Sequence, residues 1–408
     1  MKLRHIAPVA AVVLGAALMG VPATTAVADD TVSLTTTFND PAGTTAQQDA
    51  IRDQLLSLIN RAPAGSIIYG SVYKFTDSKV KDALLAADRR GVLVKLIVDH
   101  DTLDTGGSQY QALADGLGTD LPAKRSWVLA CPKDRGCIGN RTIGTVHAID
   151  HNKFFLFSKV GSTDNVVFQA SANLTTAQRQ TLYNNAVTIP DDGSGLFETY
   201  LAYFQDLKKY GSNGGKGLAT YYKTQQSGPY KTYFMPRQES SGTTYSTDAS
   251  TDTIVSLLNN VDCAGGATQI RIGMYAFTRT QVADKLVALK KAGCRVELVR
   301  NAEDGNYGTK VQSILDGKLT SIMRCDGTAR NADGTQRTIG IHNKYMLIEG
   351  TYLGTANRKI VFTGSHNYTY PSLRAHDETL LKIDNAAVYD SFKANFTSIQ
   401  KSPYCTKE

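Results

Sequence analysis

Residues 150–157 read DHNKFFLF, and residues 341–348 read IHNKYMLI. In each, a His-Asn-Lys phrase heads an apolar run of strand character. His151 and Lys153 therefore share one face of a strand, and so do His342 and Lys344. A small-polar turn follows each run: ASANLT with Ser171 and Asn173, then GSHNYT with Ser365 and Asn367. An imidazole, an ammonium, a hydroxyl and an amide on one side of a sheet suit a phosphate. Displacement at a phosphodiester needs a nucleophile, a proton for the departing oxygen and donors for the non-bridging oxygens. Neutral His serves as the first and protonated His as the second, while Lys, Ser and Asn supply the donors. One imidazole does not readily fill both roles, and the duplication supplies two. A single His-Asn-Lys would read as a core histidine; two, each with its Ser-x-Asn turn, do not.

The rest of the chain is duplicated as well. Upstream of the first phrase, QQDAIRDQLLSLINRA has helical spacing, with Ile51, Leu55, Leu58 and Ile59 on one face. A strand, a turn, a helix and a second strand follow. The second half repeats this order after TDTIVSLLNNVD: Tyr73, Phe75, Val80, Leu84, Gly91, Val94 and Leu96 match Tyr275, Phe277, Val282, Leu286, Gly293, Val296 and Leu298 at a constant offset. The repeat is far too long for a solenoid. Strands alternating with helices predict an α/β protein of two homologous lobes, each a mixed β-sheet flanked by helices. We expect the first lobe at 29–207, a linker at 208–248 and the second lobe at 249–408. The linker is rich in Gly, Ser and Thr, and its Tyr-rich middle suits packing between lobes.

The two motifs resemble the HKD signature, HxK(x)4D followed by GSxN, of the phospholipase D superfamily. Ser158 and Glu349 stand where that signature has Asp, and Ala170 replaces the first Gly of GSxN. The resemblance implies a phospholipase D-like fold with the active site at the pseudo-twofold seam between lobes. It also implies a phosphohistidine mechanism without metal or other cofactor, in which His151 is the nucleophile and His342 the acid. Lys153 and Lys344 then complete the catalytic set, and Ser171, Asn173, Ser365 and Asn367 bind the substrate. Asn184, Glu349 and Glu378 are supporting residues. With Glu378 in the second copy and Asn184 at the same place in the first, a carboxylate behind His342 alone would give His342 the higher pKa.

Residues 1–28 read as a secretory signal: a basic head of Lys2 and Arg4, an apolar stretch from Ala7 to Gly20, and Ala26-Val27-Ala28 for cleavage. The six cysteines all lie beyond it and fit an exported chain with three disulfides. Of 15 possible pairings, we expect Cys131–Cys137, Cys263–Cys294 and Cys325–Cys405. The formal charge of +7, reduced once Lys2 and Arg4 leave, favours an anionic partner. Loops 121–145 and 320–340, with Lys124, Arg125, Lys133, Arg135, Arg141, Arg324, Arg330 and Arg337, are expected to be the positively charged walls of the entrance. These features predict a secreted monomer acting on phospholipid at a membrane or micelle surface, with nucleic acid the alternative substrate. Ser158, Ala170 and Asn184 leave a third reading, a catalytically impaired phosphate-binding protein. No metal site is expected: His147 and His151 are four apart, but no Glu follows His147 as in HExxH.

Overall fold

A computed structural model of the chain describes Met1 and residues 30–212, 214–303, 305–331 and 333–408. The expected signal segment, but for Met1, lies outside the described residues. Thr31–Glu408 form one compact unit.

Two sheets carry the duplication. In chain order the first contains β1 (Thr35–Phe38), β2 (Ile67–Val72), β3 (Leu93–Val98), β4 (Trp127–Ala130), β5 (Lys153–Val160), β6 (Thr163–Ala170) and β7 (Asn185–Pro190). The second contains β8 (Lys223–Ser227), β9 (Tyr230–Phe234), β10 (Gln269–Met274), β11 (Arg295–Asn301), β12 (Ser321–Cys325), β13 (Lys344–Tyr352), β14 (Thr355–Gly364), β15 (Thr379–Asp384) and β16 (Cys405–Lys407). The orders are β1-β7-β6-β5-β2-β3-β4 and β8-β9-β15-β14-β13-β10-β11-β12-β16. Strand for strand, the first sheet matches the middle of the second, which has one further strand at each end and a short tenth, Val261–Asp262, beside β13. β2, β3 and β4 run parallel and the other pairings of the first sheet are antiparallel, so the sheet is mixed. The stretch expected as linker is more structured than its composition implied. Its β8–β9 hairpin joins the second sheet through β15, and Tyr221, Tyr230 and Tyr233 are buried.

Local signals account for the helices. α1 (Thr45–Arg61) starts at a capping box in which Thr44 accepts from the Gln47 amide and the Gln47 side chain reaches back. α2 (Ser78–Arg89) starts where the Asp77 carboxylate accepts from Val80 N. Each packs an apolar stripe on the outer face of the first sheet, with Leu55, Leu58, Ile59, Val80 and Leu84 fully buried. α3 (Tyr110–Leu117) precedes β4. α4 (Leu196–Gly211) and α5 (Ala386–Gln400) follow the last common strand of each lobe. They sit in the core shared by the lobes, and each reaches across: Phe392 of α5 meets Phe38 of β1 edge-on at 5.0 Å, and Tyr203 of α4 stacks on Phe234 of β9 at 4.1 Å. This exchange of aromatic contacts fixes the sheets against one another and so fixes the seam.

The disulfides are Cys131–Cys137, Cys263–Cys294 and Cys325–Cys405, as expected from the sequence. They close sequence separations of 6, 31 and 80 residues. On a chain-entropy basis the longest loop contributes about 4.5 kcal/mol and the shortest about 2 kcal/mol. A Cys325→Ser/Cys405→Ser variant is therefore expected to lose about 2 kcal/mol more than Cys131→Ser/Cys137→Ser in urea unfolding.

Candidate active site

The site is assembled by two parallel bridges that cross the seam. Ahead of β5, Asp150 pairs with Asp377; His151 N donates to Asp377 O at 3.0 Å, and Asp377 N donates to Ile149 O at 2.9 Å. Ahead of β13, Gly340–Ile341 pair with Leu182–Tyr183, and His342 N donates to Tyr183 O at 2.8 Å. Each histidine is thereby pinned to the segment that precedes the opposite lobe's last common strand. The residues next in that segment, Glu378 and Asn184, come to lie behind the opposite lobe's imidazole.

Glu378 therefore stands behind His151, with Oε1 2.9 Å from His151 Nδ1. Asn184 stands behind His342, with Oδ1 3.1 Å from His342 Nδ1. The amide orientation of Asn184 is set because its Nδ2 donates to Gln178 O at 2.9 Å and Leu182 O at 3.1 Å. The Ser171 carbonyl is a second acceptor, 3.0 Å from His342 Nδ1. The carboxylate at His151 Nδ1, and two oxygen acceptors against the single Lys344 ammonium at 3.0 Å from His342 Nδ1, favour the proton at Nδ1 in both neutral rings and leave Nε2 as the lone pair. This overturns the expectation that His342 has the higher pKa: the alignment within each copy was sound, but the carboxylate serves the other copy's histidine. Glu378 raises His151, while no anion supports His342.

Burial dominates the electrostatics. His151, Lys153, His342 and Lys344 are all nearly inaccessible, and Glu378 is fully buried. Desolvation, reinforced by Lys153 and Lys344, takes His151 down to about 3 against the support of Glu378. His342 lies well below its ordinary value through desolvation and the same two lysines. Lys153 is lowered to about 7 by burial, with Glu378, Asp150 and Asp99 opposing; Lys344 is pushed well down by burial and by Lys153. Each lysine reacts to groups of the other lobe, so the two His–Lys pairs share one electrostatic site. Each ammonium also donates to a carbonyl two residues back, Lys153 to His151 O at 2.5 Å and Lys344 to His342 O at 2.9 Å.

The serines are placed differently from the expectation of direct phosphate contact. Ser365 Oγ donates to Glu378 Oε2 at 2.5 Å and accepts from Thr379 N at 3.0 Å. Ser171 Oγ donates to Asn184 Oδ1 at 3.0 Å and accepts from Asn185 N at 3.0 Å. Both are fully buried; they hold the groups behind the imidazoles, which is a positioning role. Asn173 and Asn367 differ, since the Oδ1 of each is buried without a hydrogen-bond partner. Glu349 is remote: it lies on β13 beyond Lys344 and binds Lys393, Tyr389 and Arg271. Its counterpart Ser158 accepts from Ile67 N at 2.8 Å. Both positions tie strands together away from the chemistry.

The basic entrance is corrected at three of its eight residues. Arg135 donates to the carbonyls of Cys137, Tyr210 and Gly215, and Arg141 makes a two-pronged pair with Glu239. Arg337 binds the carbonyls of Gln180 and Pro41 and the side chain of Asn331. These guanidiniums build the loops instead of lining them. The sequence also left two site residues as mere repeat landmarks. The Tyr73 ring lies 5.2 Å from that of His151, and the Tyr275 ring 4.5 Å from that of His342. Lys153 and Lys344 sit over the same rings at 5.3 and 4.9 Å. Their hydroxyls donate to Asp101 at 2.8 Å and Glu303 at 2.9 Å. The constant offset between Tyr73 and Tyr275 was the available signal.

Two measurements follow from this electrostatics. An oxyanion favours the charged forms of the lowered histidines and lysines, so inorganic phosphate binding near pH 7 is expected to take up protons, seen as buffer-dependent calorimetric heats. Release of protons, or none exchanged, would contradict the placement. Glu378→Gln should lower His151 further and Asn184→Asp should raise His342, both read from NMR titration of the ring nitrogens.

The comparisons with known proteins agree with this construction. The chain matches the family model described as cardiolipin synthase, PLD-like domain, over residues 55–208 and 257–400. A search of curated protein sequences finds no match. Among solved structures, phosphatidylserine synthase from Haemophilus influenzae Rd KW20 superposes with a TM-score of 0.54 at 13% identity, over 91% of this chain and 87% of that one. Polyphosphate kinase from Porphyromonas gingivalis does so with a TM-score of 0.52 at 11% identity, over 91% of this chain and 51% of that one. The chain thus spans about half the length of that kinase, and at these identities the likeness is one of fold. With the family match covering both lobes, the chain belongs to the phospholipase D superfamily, in its cardiolipin synthase-type PLD-like domain family.

Proposed function

We propose that this protein is a secreted phosphodiesterase of phospholipase D type, which cleaves phospholipids through a phosphohistidine and passes the phosphatidyl group to water or an alcohol. The observation that carries the reading is the pair of buried His–Lys sets facing one seam, with a carboxylate behind only one imidazole. A ring phosphorylated at Nε2 and protonated at Nδ1 is cationic, and a carboxylate at Nδ1 stabilises it. That favours His151 as the nucleophile, for a reason other than the one the sequence suggested. His342 has no carboxylate to retain its proton and is the better acid once the substrate's negative charge has raised it.

In the first step, His151 Nε2 bonds to phosphorus, the bond to the leaving oxygen breaks, and His342 Nε2–H protonates that oxygen. In the second, His342 takes a proton from water as the water oxygen bonds to phosphorus and the phosphorus–nitrogen bond breaks. Lys153, Lys344 and the amides of Asn173 and Asn367 hold the non-bridging oxygens. An alcohol takes the place of water without any other change.

Lipid is preferred over nucleic acid because Arg135, Arg141 and Arg337 are committed to internal partners, leaving fewer cations to track a polyphosphate backbone. The fold-level likeness to a phosphatidylserine synthase supports the same choice. Three disulfides suit an oxidising, extracellular setting.

The test is incubation with phosphatidylcholine, and separately with plasmid DNA, in chelator and ethanol. Phosphatidylethanol is the expected product, and nicked DNA without lipid turnover would sink the lipid reading. His342→Asn is expected to slow turnover by about 10²–10⁴-fold and to accumulate an acid-labile phosphohistidine, whereas His151→Asn forms none. If the adduct builds up on His342 instead, the assigned roles are reversed.

A further inference from the structure

The internal duplication supplies a control for one surface feature. In the second lobe, β12 is covered on its outer edge by the chain's own C-terminal strand. β16 runs antiparallel to it, with Met323 opposite Lys407, Arg324 opposite Thr406 and Cys325 opposite Cys405. Glu408 N continues the ladder to Ile322 O at 3.0 Å. In the first lobe the equivalent strand is β4. Asn301 pairs with Cys325, and extending the β3–β4 register, Val98 with Ala130, sets Asp99 beside Cys131. Asp99 and Asn301 are repeat partners, so Cys131 corresponds to Cys325 and Ala130 to Arg324. Cys131, lacking a strand to staple, bonds instead to Cys137.

Among the described residues, no strand pairs with the outer edge of β4. Backbone groups alternate along a parallel ladder. Cys131 N donates inward to Val98 O, and Val128 N donates outward to Gly118 O, so Val128 and Ala130 face outward. Gly118 takes the Val128 amide. Val128 is itself buried, so the half-buried Ala130, with its N–H and carbonyl, forms the floor of an open groove. One wall is the loop at 119–122 and the other is the last turn of α4, with Gln205, Lys208 and Lys209. Lys208 lies over the ring of buried Trp127 at 5.5 Å, and Lys124 packs on Gly118 at the groove's end. The one acid of the lining, Asp120, caps its own turn through Ala123 N at 3.3 Å.

We propose that the outer edge of β4 is a docking site for an extended, acidic segment of another protein, which adds to the sheet antiparallel to β4 as β16 adds to β12. Main-chain bonds to Ala130 hold the segment, and the lysines of the rim select its charge. The groove's lining contains no residue of the His–Lys site, so the inference does not depend on the proposed reaction. An uncovered sheet edge is otherwise a liability for self-association, which is why the alternative outcome is measured alongside.

Trp127 is the chain's single tryptophan and reports on the groove. The probe is an N-acetylated Glu-Val repeat peptide, with a Lys-Val repeat as control. The expected result is a saturable change in Trp127 emission with the acidic peptide only, and slowed hydrogen exchange at the Ala130 amide. Lys208→Glu/Lys209→Glu is expected to weaken binding by about tenfold or more. Ala130→Pro, which removes the N–H, should abolish it while leaving hydrolysis of a chromogenic phosphodiester unchanged; should that variant not fold, the lysine variant carries the test. Equal binding of both peptides, or no change in emission and exchange, overturns the proposal. So does a concentration-dependent dimer that protects Ala130 without peptide, which would assign the edge to a second copy.

Discussion

The crossing of the seam by two short parallel bridges is the constraint on which the site depends. Asp150 against Asp377 and Ile341 against Tyr183 each involve only a residue or two. They nevertheless decide which group stands behind which imidazole. Further ties hold them: the Asp377 carboxylate accepts from Ile138 N at 2.8 Å and Gly139 N at 2.7 Å, inside the loop that follows the Cys131–Cys137 disulfide. Asp99 accepts from Asp150 N at 2.6 Å, and its repeat partner Asn301 accepts from Ile341 N at 3.1 Å. The first lobe thus builds the support of His151 around a residue of the second. Neither half is a complete site alone.

Symmetry of backbone combined with asymmetry of chemistry is what the duplication makes possible. The Ser–Glu–His arrangement of Ser365, Glu378 and His151 superposes in role on Ser171, Asn184 and His342. A carboxylate on one side and an amide on the other orient both rings alike, because each offers an acceptor to Nδ1. They differ only in what they do for a cation. One position of charge therefore separates a ring suited to carry phosphorus from a ring suited to give up a proton. No change of backbone is needed.

Much of this was legible in the sequence, and what was missed has a common cause. The strands and helices follow from periodicity, such as the helical spacing of Ile51, Leu55, Leu58 and Ile59, which is local. The pairing of His with Lys, and of each set with its Ser-x-Asn turn, is local as well. The partner of Glu378 is not: its contact with His151 spans the two lobes, and nothing within either repeat states which imidazole it meets. The same holds for Arg135, Arg141 and Arg337, which look like a basic surface until the carbonyls and the Glu239 carboxylate that they bind are brought to them by folding. Ser171 and Ser365 were expected to meet the phosphate, and the structure turns them to Asn184 and Glu378, since a hydroxyl two positions before an amide gives no sign of which way it turns. The disulfides were legible because each joins cysteines within one lobe.

The depth of the site also explains why its acid–base groups lie so far from their ordinary values. Two imidazoles and two ammonium groups, shielded from water around the ionised Glu378 and with the carboxyls of Asp150 and Asp99 raised by burial, cannot all be charged without a further anion among them. Folding accepts that cost as lost protons, not as lost structure: His151 at about 3 and Lys153 at about 7 are groups whose charge is held in reserve. Their depressed values stabilise the folded chain least where the unfolded chain would be protonated. For His151 that is below its ordinary value of about 6.5, and the loss grows as pH falls toward 3. A bound phosphodiester reverses this balance by supplying the missing negative charge. The groups are thus positioned in folding, before an anion arrives, and their charging waits for it.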